Sequence, residues 1–166
     1  MDIFSHALWG ATIIRKRSMI WWAALAGALP DILGSGPGAI YLLIIHQRFW
    51  GVNIWQLLPD WATANYHLWH GLVGVLIILL ILWLIGRYWL ILIFPYLLHV
   101  TIDLFTHQGD ILHRLFYPIL PYSIERQVGI NWWEVGWVWL VNFGLLLLIN
   151  IIFLFRRKKA NIDKFS

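Results

Sequence analysis

Cysteine is absent from this 166-residue chain, so disulfides and thiolate metal sites are both excluded. Charge is scarce: Asp, Glu, Lys and Arg together make 12% of the residues, against about 25% in soluble domains. A long basic run is lacking too. The excess of four positive charges is spread over short clusters beside apolar stretches, a pattern suited to membrane orientation and not to nucleic-acid binding. The opening MDIFSHALWG has neither the basic start nor the long apolar centre of a cleavable signal peptide, so Met1 onward is read as mature protein.

What fills the space is hydrocarbon and indole. The chain is 61% hydrophobic and carries 13 tryptophans. Three segments, 69–86, 88–105 and 135–155, reach the roughly 20 apolar residues that a membrane-spanning helix needs. Shorter apolar pieces lie at 3–14, 18–33 and 38–46. The first two are joined through Arg15-Lys16-Arg17 as a helical hairpin. Pro30, Gly34, Gly36, Pro37 and Gly38 predict a break in the chain, leaving Asp31 at the outer end of its helix. Residues 47–68 and 107–133 read as two long polar-aromatic connections. The expected fold is all-α: one polytopic integral membrane helical bundle over residues 1–166.

Basic residues set the expected topology. Arg15, Lys16, Arg17, Arg87, Arg156, Arg157, Lys158, Lys159 and Lys164 alternate onto one side, which the positive-inside rule makes cytoplasmic. That predicts a multi-pass protein of the inner or plasma membrane with a cytoplasmic C-terminus. All the histidines (His6, His46, His67, His70, His99, His107 and His113) then fall in the outer half or the outer loops.

Against this background the stretch LLHVTIDLFTH at 97–107 is out of place. Residues four apart share a helix face, so His99, Asp103 and His107 form one polar stripe. Ionisable groups inside a membrane segment are costly and face a bundle interior or a wet cavity. His6, Asp31 and His70 arrive from three other segments at one membrane depth. Imidazoles mixed with carboxylates suit Zn²⁺, Mn²⁺ or Fe²⁺. The candidate metal ligands are therefore His6, Asp31, His70, His99 and Asp103. His67 and His107 are placed at a second metal or behind the first set of ligands. Metal-assisted hydrolysis needs an acidified water and a carboxylate to handle its proton, which assigns catalytic roles to Asp31 and Asp103. Arg114 and Arg126 are expected to contact an anionic substrate group. A structural polar network around Asp103, Thr101 and Thr106 is the plain alternative, and Asp2 and Asp60 read as helix-start residues.

Four of these stretches, in order, resemble a known family. MDIFSHALWG, ALPDIL at 28–33, YHLWHG at 66–71 and YLLHVTIDLFTH at 96–107 are similar to the motifs of the YdjM-like inner-membrane metal-dependent hydrolases. The resemblance spans His6 to His107. It implies that His6, Asp31, His70, His99 and Asp103 bind metal. It also implies a distant similarity to the zinc-dependent phospholipase C and S1/P1 nuclease group. The chain departs from the family pattern at Trp69-His70-Gly71, where flanking hydroxyls are absent, and at Leu33, where a second acid is usual.

The expected function is hydrolysis of a phosphoester in a membrane lipid or lipid-linked substrate near the outer leaflet, with one or two divalent ions, zinc foremost. The rival reading is a non-enzymatic metal-binding or transport protein. Transport predicts a polar path to the cytoplasmic side, whereas the inner halves are apolar apart from Asn150.

Overall fold

A computed structural model describes residues 2–46, 57–106, 115–119 and 135–162. The described residues are mostly helical, with no strand among them. In chain order the helices are α1 (Ile3–Ile13), α2 (Ile20–His46), α3 (Asp60–Trp69), α4 (Leu72–Ile85), a 3-10 segment (Arg87–Leu92), α5 (Ile93–Thr106) and α6 (Gly136–Ile162). Three helical stretches (20–45, 87–106 and 136–153) are long and apolar enough to cross a membrane. A fourth span results if α3 and α4, bent by 59°, count as one.

Capping is local and legible. Asp2 N-caps α1, its Oδ1 accepting the Ser5 N–H at 2.9 Å. Pro59 precedes Asp60 at the start of α3. Gly86, at φ 143°, ends α4 in a backbone conformation that only glycine adopts freely.

The expected break at 30–38 does not occur. α2 runs unbroken through Pro30 and Pro37, so Asp31 lies about 16 Å along a continuous helix and not at a chain end. A proline at 37 removes the N–H that would bond the Leu33 carbonyl. Asn65 of α3 replaces it, its Nδ2 donating to Leu33 O at 2.6 Å and to Gly34 O at 3.0 Å. Apolar helices tolerate proline when a neighbour satisfies the freed carbonyl in this way.

The 69–86 stretch, expected as one helix, is instead interrupted at His70-Gly71, and the expected connection at 47–68 contains most of α3. A Cβ on Gly74 would lie 2.6 Å from Leu68 O, so the bend packs directly over that glycine. The 88–105 stretch begins as 3-10 helix before α5 takes over.

α2 is the centre of the bundle, in contact with α1, α3 and α5. Its Gly27, Asp31, Gly34 and Gly38 share one face. A Cβ at Gly27 would meet His6 O at 2.4 Å, and one at Gly10 would meet Ala23 O at 2.2 Å, so α1 and α2 touch backbone to backbone. Small residues allow this approach in apolar bundles. The core below the site joins Met19, Ala23, Ile78, Leu82, Tyr96 and Val100. α6 is tied to α1 by polar contacts: Trp9 Nε1 donates to Asn142 Oδ1 (2.7 Å) and Asn142 Nδ2 to Ser5 Oγ (3.0 Å). At the other end Arg15 donates to Asn150 Oδ1 at 3.2 Å. Elsewhere the outer faces of α4 and α6 are exposed aliphatic and aromatic side chains, Leu80, Trp83, Leu84, Leu140 and Leu147 among them.

Candidate metal centre

Four side chains from four places in the sequence meet in the bundle. Asp31 comes from α2, His70 from the bend after α3, and His99 and Asp103 from adjacent turns of α5. One ligand atom from each lies within 4.8 Å of all the others, and this group can hold a metal ion. His70, His99 and Asp103 side chains are at most 5% exposed, and Asp31 is 15% exposed. Asp31 is therefore the edge through which the site meets its surroundings.

Backbone carbonyls fix the chemistry of the two rings. His70 Nδ1 is 2.9 Å from Tyr66 O, and His99 Nδ1 is 2.7 Å from Gly27 O. A carbonyl only accepts, so each Nδ1 carries the hydrogen and donates it. In the neutral rings both Nε2 atoms are then bare lone pairs. They face each other at 3.1 Å. Asp31 Oδ1 stands 3.4 Å from His70 Nε2 and 3.8 Å from His99 Nε2. Asp103 Oδ2 stands 3.7 Å and 3.3 Å from the same two atoms.

With both rings neutral, acceptors alone converge here, which is unfavourable in a dry interior unless a metal ion, or a proton on one ring, sits among them. Four ligands about 2.0–2.1 Å from a tetrahedral zinc stand roughly 3.3–3.4 Å apart. Five of the six separations run from 3.1 to 3.8 Å, and all lie within 4.8 Å. Ligating histidines also characteristically donate their other ring N–H to a carbonyl or carboxylate, as both rings do here. The donor set fits a divalent metal.

His6 lies beside this group and outside it. Its Nε2–H donates to Asp103 Oδ1 at 3.0 Å, the carboxylate oxygen that faces away from His70 and His99. Its ring stacks on His99 with centroids 3.5 Å apart. His6 Nδ1 is buried with no hydrogen-bond partner. His67, three residues before His70, turns elsewhere: its ring is 5.8 Å from that of Tyr117. His107, Arg114 and Arg126 lie outside the described residues. Thr106 Oγ1 is 3.5 Å from Asp103 Oδ1, so a weak polar network coexists with the cluster.

Several supporting groups carry no chemical signature in the sequence. Gly27 and Tyr66 contribute through backbone carbonyls. Gly34 contributes by having no side chain: a Cβ there would lie 3.1 Å from the His70 ring. One signal for them exists, namely the helical spacing of Gly27, Gly34 and Gly38 around Asp31. No family model, curated protein or solved structure matches the chain.

Proposed function

We propose that the chain is a polytopic membrane hydrolase that holds a divalent metal, zinc foremost, between Asp31, His70, His99 and Asp103 and cleaves a phosphoester in a lipid or lipid-linked substrate. The observation that carries the metal is the pair of carbonyl-fixed tautomers, which leaves two nitrogen lone pairs and two carboxylate oxygens aimed at one point. Apolar helices of spanning length and their exposed aliphatic faces support a bilayer setting. The charge bias of the loops supports an orientation with Arg15–Arg17 and Arg87 on the cytoplasmic side. The motif resemblance to YdjM-like hydrolases supports the reaction class.

A divalent metal bound there supplies an acidified water and a positive centre for a phosphoryl oxygen. The protein's own part is distributed. Tyr66 and Gly27 carbonyls orient the two imidazoles, and His6 holds Asp103 by its second oxygen. Asp31, the most exposed of the four, is placed to receive a proton at the substrate edge. Arg114 and Arg126 are assigned to the substrate's anionic group.

The test is elemental analysis of the detergent-purified protein alongside an activity screen over phospholipids and polyprenyl phosphates, wild type against Asp103→Ala. Bound zinc or another divalent ion and a phosphoester activity, both lost in Asp103→Ala, are expected. A metal-free wild-type protein overturns the metal assignment. A second reading, a non-catalytic metal-binding protein, is favoured by the count of four protein ligands, since closed tetrahedral sites are structural. Metal without activity over the whole screen selects that reading.

A further inference from the structure

On the side of the bundle that carries Arg15–Arg17 and Arg87, α2, α4 and the 3-10 segment enclose a groove of about 310 Å³. Its walls include Leu25, Leu29, Ile78 and Leu82, and no charged side chain lines it. Trp22 and Trp89, edge to face with centroids 5.5 Å apart, stand at the basic end.

The rim is built differently from the walls. Lys16, Arg17 and Arg87 are exposed, and Arg87 is two residues from both Ile85 and Trp89 of the groove. Lys16 Nζ sits 4.3 Å above the Tyr88 ring, and Ser18 Oγ is 3.3 Å from Tyr88 Oη. These contacts hold the basic turn beside the groove's mouth. Neither rim segment, 15–22 or 85–92, contains an acidic residue. A narrow apolar slot with cations at its mouth is complementary to an amphiphile with an anionic head. Its volume is near the lower end of ligand pockets, about 300–1,000 Å³. It would take only a few ångströms of a protein helix, which is about 10 Å across.

We propose that this groove binds one acyl chain of an anionic glycerophospholipid, with the head-group phosphate at Lys16, Arg17 and Arg87. The site is separate from the Asp31–His70–His99–Asp103 cluster and rests on the membrane reading, not on the metal.

The experiment places the full chain in phosphatidylcholine nanodiscs doped with phosphatidylglycerol that carries a photoactivatable group late in one acyl chain. A parallel sample uses the same group on phosphatidylcholine, and labelled peptides are mapped by mass spectrometry. Phosphatidylglycerol labels should concentrate on residues 22–29 and 78–92. Arg87→Gln should lower that labelling about fivefold, the factor for one cation near an anionic lipid. Leu25→Trp, which fills the slot, should remove it while labels on α6 persist. Ile85→Trp, at an exposed rim position, serves the same purpose if the first variant misfolds. Equal labelling of the groove and of α6, indifference to Leu25→Trp and Ile85→Trp, or chain-to-chain cross-links from the groove would each overturn the proposal. Metal content, measured on the same preparations, reports on the hydrolase reading independently.

Discussion

His70 Nε2 and His99 Nε2 stand 3.1 Å apart, and in the neutral rings each is a bare lone pair, because a backbone carbonyl holds the hydrogen on the opposite ring nitrogen. Two lone pairs at that distance repel, and Asp31 and Asp103 add negative charge to the same point. A positive charge among the four, a metal ion or a proton on one ring, relieves that repulsion, and the group could hold a metal ion. Several consequences are open to measurement.

A metal ion held by these four residues would stabilise the fold, so its removal should lower stability. For a ligand at about 100 times its Kd the linkage term is about 2.7 kcal/mol, which in a chain of this size is a melting shift of roughly 5–11 °C. Prolonged chelation of the purified protein should lower Tm by about that much, and zinc should restore it. A melting curve unmoved by both treatments argues against the site.

His6 acts on the cluster through Asp103. Partners that orient a ligand typically carry 10–100-fold in metal affinity. His6→Ala should therefore weaken metal binding by roughly 10–100-fold in a competition titration, whereas His99→Ala and Asp103→Ala should leave no bound metal. Equal loss in all three variants would make His6 a ligand in its own right.

Contact between α1 and α2 depends on two absent side chains. A Cβ at Gly27 meets His6 O at 2.4 Å, while one at Gly144 of α6 meets nothing within 4 Å. Gly27→Ala should cost about 1–3 kcal/mol in thermal or denaturant unfolding and displace His6 from Asp103. Gly144→Ala should be neutral or stabilising by up to about 1 kcal/mol.

Asn65 is the substitute donor that keeps α2 helical past Pro37. Asn65→Leu strands the Leu33 carbonyl, whose helical donor is missing at Pro37, and also removes the partner of Trp69 Nε1, 3.1 Å away. An unsatisfied group costs about 1–3 kcal/mol when fully buried, and less at this part-buried site. The expected result is a lowered Tm together with reduced metal content, because Tyr66 rides on α3 and His70 caps its end.

The amino-acid sequence by itself determined the class of fold and the ligands' chemistry. Scarce charge and long apolar runs leave helices as the economical way to satisfy every backbone group, and the four-residue spacing of His99 and Asp103 places them on one face before any packing is known. Local rules also suffice for Asp2 as the N-cap of α1. They mislead at Pro30–Gly38, because proline and glycine punctuate chains in water, whereas in an apolar bundle a distant Asn65 repairs the broken ladder and the glycines become contact surface. His70 and His99, named from the sequence, do converge, but tertiary structure alone set His6 beside the cluster and not in it. In sequence, His6 reads as a direct ligand beside His70, and His67 as lying at a second metal or behind them. Only the close approach at Gly27 puts His6 on the far oxygen of Asp103, and only the bend at His70-Gly71 turns His70 inward while His67 turns toward Tyr117. The tautomers that leave the cluster able to hold a metal ion are likewise set by the carbonyls of Gly27 and Tyr66, backbone atoms that every residue has and that only packing can aim.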